Sequence, residues 1–334
     1  MSDPFASLSS EERLLLRRQE QPRWTPPMLA TLTDDHFSDP GWIYERKFDG
    51  ERVLSFRRGA EVRLTSRNRK ELNETYPEVE AALKSQPCDD FIVDGEVVAF
   101  AGDVTSFARL QQRMQVKDRD AARRSRIAVY YYVFDLLYLD GHRLDRLPLR
   151  IRKGLLQRVL DFGNRARFTV HRNERGLDYY EEACRKGWEG IIAKRADSGY
   201  RHSRSRDWLK FKCSQGQELV IGGFTEPQGS RKGFGALLVG YYEDDRLRYA
   251  GKVGTGYDDD TLVELRERMD RLERKTSPFA DEVRETGAHW VTPELVGEFG
   301  FTEWTRDRKL RHPRFLGLRR DKRADRVVRE KPGS

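Results

Sequence analysis

The sequence is poor in the features that mark secreted, zinc-stapled or membrane proteins. It holds 3 cysteines in 334 residues: Cys88, Cys184 and Cys213. They lie far apart and form no Cys-x-x-Cys pair, which argues against a structural zinc and against a disulfide framework. The expectation is three reduced, incidental thiols. No apolar run approaches the ~20 residues of a spanning helix. The leucines Leu14 to Leu16 sit among charges and lack the apolar stretch of an export signal. The expected location is therefore cytoplasmic, with no membrane partner. No internal repeat is visible.

An excess of acid is also missing. Lys and Arg number 63 against 55 Asp and Glu, a net charge of +8. The surplus is local. From Arg306 to Lys331 there are 12 Lys/Arg and 4 Asp/Glu, which is +8, so the remaining 51 and 51 cancel. Further basic clusters run from Arg109 to Arg126 and from Arg201 to Lys212. Basic patches on a balanced chain suit a polyanion such as nucleic acid or nucleotide phosphates. A solvated face is the alternative for any one patch. The 37% of hydrophobic residues can fill ordinary cores, and the length suits two domains better than one.

Residues 1–22 read as an amino-terminal arm, with a short helix capped near Ser10-Glu11-Glu12 and ending by Arg18. Pro22, Pro26 and Pro27 exclude a regular element before Met28. The first domain is then expected over 23–214. Val62 to Thr65 alternates like a strand, and Tyr76 to Leu83 has helical spacing. Phe91 to Phe100 reads as two buried strand segments with Asp94-Gly95-Glu96 between them. Those carboxylates need a cation or hydrogen-bond donors if they are buried, and a hairpin turn in water is the alternative. Ser106 to Met114 reads as a helix, Lys117 to Arg126 as a charged loop, and Ile127 to Tyr138 as a buried strand whose one charge is Asp135. Helices are expected over Leu149 to Leu160 and Asp178 to Gly187, the latter closed by its glycine.

The texture changes at Gln215-Gly216-Gln217. Short strands recur over Leu219 to Phe224, Gly235 to Tyr242, Leu247 to Val253, Leu295 to Phe301 and Phe315 to Arg319, with a helix over Thr261 to Leu272. A small β-barrel of the OB type is expected over 215–334, including the basic carboxy-terminal segment.

Within this frame one stretch carries chemistry. Lys47 stands two residues before Asp49-Gly50, with Trp42 and Ile43 upstream and Val53, Leu54 and Phe56 downstream. Strand, tight turn and strand would hold its amine at a fixed place, where a lysine can act as a covalent nucleophile if its pKa is lowered. An ordinary hairpin with a solvated lysine is the plain alternative. Trp208 to Lys212 alternates strictly, which puts Lys210 and Lys212 on one strand face. That arrangement suits a phosphate, or the wet face of an edge strand.

The order of the pieces decides between these. Lys-x-Asp-Gly at Lys47, Ser66-Arg67, Asp94-Gly95-Glu96, Phe134-Asp135, Glu189-Gly190-Ile191-Ile192-Ala193-Lys194 and Trp208-Leu209-Lys210-Phe211-Lys212 follow one another. This series resembles the ordered motifs of the covalent nucleotidyltransferases: ATP-dependent DNA ligases, RNA ligases and mRNA capping enzymes. Pro27 to Leu32, Ile221 to Thr225, Gly251 to Gly256 and Arg311 to Lys322 are similar, more narrowly, to ATP-dependent DNA ligases of the bacterial non-homologous end-joining type. The resemblance implies an α+β fold: a nucleotidyltransferase (adenylation) domain of antiparallel sheets and flanking helices, followed by an OB-fold domain. It implies a stand-alone ligase core, since the chain is too short for the polymerase and end-processing modules of multi-domain relatives.

The roles it implies are specific. Lys47 would attack the α-phosphorus of ATP and carry AMP. Glu45 would accept from the adenine amino group. Arg52 and Arg67 would hold ribose and phosphate, and Phe134 would stack on the adenine. Glu96 and Glu189 would bind Mg²⁺, or Mn²⁺. Lys210 and Lys212 would hold the α-phosphate, and Asp321 and Lys322 would orient the leaving pyrophosphate, helped by Arg311, Arg314 and Arg319. The implied partners are duplex DNA with nicks or ends, gripped through its backbone, and a Ku-like end-binding protein. The implied state is a monomer at the bacterial nucleoid. In one place the chain departs from the pattern. The turn Tyr200 to Arg206 has no glycine, which leaves Arg204 and Arg206 without a role. An RNA ligase or a GTP-using capping enzyme is the rival within the superfamily, and a non-catalytic nucleic-acid-binding protein the rival outside it.

Overall fold

The computed structural model describes residues 3–213, 215–227, 229, 232–301 and 303–330. Two compact units meet in the chain between Cys213 and Ser214. Among the described residues no helix is long and apolar enough to cross a membrane.

The first unit is built on two sheets. The longer one orders its strands as Arg17–Arg18, His142–Arg143, Val129–Leu139, Asp90–Ala101, Glu51–Arg58 and Glu61–Ser66. The second runs His171–Asn173, Trp42–Arg46, Gly190–Arg195, Arg204–Lys212 and Leu29–Leu32. Side chains alternate across each strand, and the core records it. Val53, Val93, Val97 and Val133 face one way, into a cluster with Tyr76, Leu110 and Leu155. Tyr76 is the residue at the start of the helix Pro77–Lys84, and Leu110 and Leu155 come from the helices Phe107–Met114 and Leu149–Val159. Leu54, Ile92 and Phe134 face the other way and meet Met28 and Trp208 of the second sheet. The second sheet's outer face buries Tyr44, Ile191, Leu209 and Phe211 against Tyr179 and Ala183 of the helix Gly176–Arg185. What remains between the two sheets is the inner face of each, and the chemistry lies there.

Several expectations change on contact with this fold. The first residues are not a detached arm: Phe5 and Leu8 are buried in the main core, and Arg17–Arg18 pairs with His142–Arg143. Asp94-Gly95-Glu96 is not a turn. One strand runs unbroken from Asp90 to Ala101, because Asp94 finds cationic and hydroxyl donors that let it stay buried. The charged stretch after Met114 contains a short helix, Arg119–Arg124, capped by the Asp118 side chain. Cys184 and Cys213 form a disulfide with Cα atoms 5.1 Å apart, and Cys88 alone stays free. They are 29 residues apart in sequence, a pairing that no spacing rule signals; the helix end and the strand end that carry them become neighbours only in the folded unit.

In the second unit the strand Gln215–Thr225 is the hub. It pairs along one edge with Leu237–Glu243, and along the other with Val296–Phe301 and then Ala288–Val291. Leu237–Glu243 continues to Arg246–Val253, and Val296–Phe301 to Arg314–Leu318. The two ends meet where Phe315 N–H donates to the Thr255 carbonyl at 2.9 Å. The helix Asp259–Asp270, capped by the Asp258 side chain, buries Leu262, Leu265 and Met269 in the barrel core. This is an OB-type barrel with one long helix among the described residues.

One buried ion pair fastens the first unit. Arg152 grips Asp135 with both side chains fully buried, Nε to Oδ1 at 2.7 Å and Nη2 to Oδ2 at 2.9 Å, and also donates to the Ser198 carbonyl at 3.0 Å. Replacing one partner of such a pair strands the other charge. Asp135→Asn is expected to cost about 3–5 kcal/mol, read as a lower urea midpoint with an unchanged slope.

Candidate active site

Alternation assigns the inner face of the second sheet. Tyr44 packs outward, so Ile43, Glu45 and Lys47 point inward. Ile191 and Ala193 pack outward, so Ile192 and Lys194 point inward. Leu209 and Phe211 pack outward, so Trp208, Lys210 and Lys212 point inward. Opposite them, Arg52, Asp94, Glu96, Tyr132 and Phe134 share the inner face of the longer sheet. The folded unit thus gathers the inferred residues Lys47, Glu45, Arg52, Glu96, Phe134, Lys210 and Lys212 around one cleft. Arg67 lies half-buried just past the strand Glu61–Ser66.

Lys47 does not sit on a hairpin. Trp42–Arg46 belongs to one sheet and Glu51–Arg58 to the other, so Lys47 to Gly50 is the crossing between them. Gly50 is required by proximity: a Cβ there would lie 2.3 Å from the Val97 carbonyl oxygen and 3.0 Å from Glu96 Cγ. The Lys47 backbone N–H donates to the Gly190 carbonyl at 3.0 Å. Gly190, at φ +145°, has the Phe211 carbonyl where its Cβ would be. These contacts fix the Lys47 amine against Glu189, whose carboxylate accepts from it.

That pairing sets the resting charge. Burial disfavours the Lys47 ammonium, but the Glu189 carboxylate outweighs burial and the nearby Lys212 charge. Lys47 is held above its ordinary value and rests protonated. The other oxygen of Glu189, Oε2, is buried with no hydrogen-bond partner among the described residues.

Deeper in the cleft is a second charge cluster, of which sequence reasoning gave a role only to Glu45. Glu45 is 2% exposed. It takes Lys153 Nζ at 2.5 Å on one oxygen and Lys194 Nζ at 2.6 Å on the other. Burial works against its charge, yet the two lysines hold its pKa below the usual carboxylate value. Lys194 lies over the rings of Phe134 and Trp208, at 4.2 and 4.1 Å. Burial pulls its pKa down to about 8 against the pull of Glu45. Around this cluster Thr169 Oγ1, His171 Nδ1 and Trp208 Nε1 are buried without a hydrogen-bond partner among the described residues. An aromatic wall beside unanswered polar atoms and a carboxylate is a setting for a flat, polar ring.

Arg52 is clamped by Asp94 at 2.5 and 2.6 Å and lies over Phe134 at 4.6 Å. The Tyr200 hydroxyl donates to Asp94 Oδ2 at 2.6 Å and accepts from the Met28 N–H at 2.8 Å. The altered turn thus has a function in the fold: Tyr200 supports Asp94, which orients Arg52. Arg204 donates to the Ala30 carbonyl at 2.8 Å, and Arg206 is exposed. Lys153 escaped the sequence analysis, and Asp94, Lys194 and Tyr200 were named there within motifs without a role at the site. The signal within reach was Lys194, two strand positions from Ile192 and so on the face of Glu45.

In the second unit Asp321 is buried against Arg319, with contacts of 3.0 and 2.9 Å. Lys322 pairs with Glu218 at 2.9 Å. Arg311 is exposed and pairs with Glu303 at 2.6 Å, and Arg314 is exposed.

Comparisons with known proteins agree with one another. The model of the ATP dependent DNA ligase domain matches residues 27–212, and that of the ATP dependent DNA ligase C terminal region matches residues 230–322. A multifunctional non-homologous end joining protein LigD from Pseudomonas aeruginosa is 38% identical over 320 residues, covering 93% of this chain and 37% of that protein. The LigD of Mycolicibacterium smegmatis is 34% identical over 325 residues, 95% of this chain and 41% of that protein. The chain therefore spans about two fifths of the length of these relatives. A solved mycobacterial DNA ligase D, complexed with ATP and MES, superposes with a TM-score of 0.66 at 32% identity, over 92% of this chain and 98% of that one.

Removing the Glu45 charge leaves two buried lysines facing each other. Glu45→Gln is expected to lose about 3–5 kcal/mol of stability, read by urea unfolding. The double variant with Lys153→Met should recover part of that loss, and no recovery would mean the two residues are not coupled.

Proposed function

We propose that this chain, which belongs to the ATP-dependent DNA ligase family, seals 5′-phosphate/3′-hydroxyl breaks in duplex DNA by three transfers at the Lys47 site. The observation that carries this reading is the face shared by Lys47, Lys210 and Lys212, with Glu189 on the amine. In the first transfer Lys47 Nζ attacks the α-phosphorus of ATP. A P–N bond forms, the bond to pyrophosphate breaks, and the amine proton leaves to solvent. In the second, a DNA 5′-phosphate oxygen displaces Lys47 from the AMP. In the third, the 3′-hydroxyl attacks that 5′-phosphorus, and AMP departs.

Each residue has a part. Attack needs a neutral amine, so Glu189 must release the Lys47 proton first. Burial and the Lys212 charge then favour the neutral form. Lys210 and Lys212 carry the charge that develops on the α-phosphate. Each Glu45 oxygen has a second lone pair, so it can accept from the adenine amino group while Lys153 and Lys194 stay bound. Phe134 offers its face to the base. Arg52, oriented by Asp94, and Arg67 hold ribose and phosphate. Asp321 and Lys322 are assigned the leaving pyrophosphate, and Asp321 holds Arg319 in place within the second unit.

The donors fit Mg²⁺ or Mn²⁺. Glu189 Oε2 is an unanswered buried oxygen, and the Glu96 side chain approaches Gly50. Among the described residues no group of three or more metal-binding side chains occurs, and one or two carboxylates completed by phosphate and water is how Mg²⁺ is held beside nucleotides. Glu96 and Glu189 would hold the ion, which when bound neutralises phosphate charge. The proposed setting is DNA repair by end joining at the bacterial nucleoid, as a monomer working beside a Ku-like end-binding protein. The names of the relatives, which are non-homologous end joining proteins, support the end-joining part of this setting.

Two measurements test this. Incubation with α-labelled ATP and Mg²⁺ should give an acid-labile adenylate on the wild type and none on Lys47→Ala, whereas label from GTP would point to a capping enzyme. A fully paired nicked duplex should then be sealed. Separately, Glu189→Gln should lower the pH at which Lys47 becomes reactive toward an amine-modifying reagent, followed by mass. Glu189 raises this pKa, so its loss must move the midpoint down, and an unchanged midpoint would refute the pairing.

A further inference from the structure

A second cleft in the first unit, about 870 Å³ in volume, plays no part in the transfers above. Aromatic residues wall it: Phe100, Tyr130, Tyr132 and Trp188. Phe48 packs at a tilt against Tyr132, with ring centres 4.2 Å apart and planes inclined by 31°. Over these rings lie cations. The Arg46 guanidinium sits 4.2 Å from the Trp188 ring, and that of Arg167 sits 3.9 Å from Tyr130 and donates to the Tyr132 hydroxyl at 3.0 Å. Neither arginine has a carboxylate partner among the described residues. Arg46 Nε is buried with no hydrogen-bond partner, and its Nη2 reaches only the Asp103 carbonyl at 3.3 Å. Lys186 at the rim is paired with Glu182, and Asp103 is the one carboxylate in the lining. The cleft also borders the chemistry along the chain, since Arg46 and Phe48 flank Lys47 and Trp188 precedes Glu189.

We propose that this cleft holds one unpaired nucleotide of a DNA strand end, its base among the aromatic side chains of the wall and its phosphate on Arg46 and Arg167. The inference rests on the ligase reading and names a feature of its substrate. A paired duplex presents its backbone and groove edges, so aromatic faces gain little from it. An unstacked base has a free face for the rings, whatever its sequence, and brings the anion that the two arginines lack. Breaks whose ends carry overhanging or frayed nucleotides supply such a group, and the cleft would keep it clear of the reacting ends.

The test uses the full chain and two nicked duplexes. One is fully paired. The other carries a single unpaired 2-aminopurine nucleotide at the break. Binding to the wild type should quench 2-aminopurine emission severalfold. Tyr130→Leu should abolish the quench and weaken binding of the unpaired substrate about tenfold, while binding of the paired nick changes less than twofold. Arg167→Gln should weaken the unpaired substrate more than the paired one. Absent quenching in the wild type, or equal weakening of both duplexes in either variant, would overturn the proposal. Thermal unfolding of both variants checks that the fold is intact. Adenylate formation and sealing of the paired nick are scored in the same samples. If those fail, the ligase reading falls. If they proceed without quenching, only the cleft proposal falls.

Discussion

Five ammonium groups have to share the inner face of one small sheet and its flanking helix, and two carboxylates make that tolerable. Lys153 and Lys194 are fixed on Glu45, and Lys47 on Glu189, with Lys210 and Lys212 on the same face. Without the acids this face would repel itself in a poorly solvated cleft, where unpaired charge is expensive. With them, three of the five ammonium groups are held on carboxylates in place.

The two acids differ in what surrounds them. Glu45 is 2% exposed and held by two lysines at once, so it belongs to the permanent frame. Glu189 is partly exposed, holds one lysine, and keeps its second oxygen unanswered. The first arrangement resists change. The second has an alternative within reach, since any cation that satisfies both oxygens of Glu189 competes with Lys47 for it. Lys47 is therefore held in its protonated form for as long as Glu189 stays on it, a constraint set by electrostatics.

The frame around Arg52 follows the same logic with neutral help. Asp94 is fully buried, and it keeps its charge because Arg52 and the Tyr200 hydroxyl both point at it. Tyr200 is in turn fixed by a backbone N–H of Met28, next to the first strand of the second sheet. The two sheets are thus joined across the cleft by a chain of hydrogen bonds as well as by the packing of Leu54, Ile92 and Phe134 on Trp208 and Met28.

Alternation along the chain was enough to place Lys210 with Lys212 and Glu45 with Lys47, because strand geometry sends every second side chain the same way. The order of short motifs pointed to the ligase family and to an adenylation domain followed by an OB-fold domain, and the family models agree. What it left open were pairings between distant segments. That Lys47 bridges two sheets, that Asp94 lies inside an unbroken strand, that Lys153 and Lys194 converge on Glu45, and that Cys184 meets Cys213 all depend on contacts between elements far apart in sequence. Local residue pattern determines which face a side chain takes. Only the tertiary structure determines what stands across from it, because burial, charge pairing and hydrogen-bond satisfaction are properties of the assembled neighbourhood.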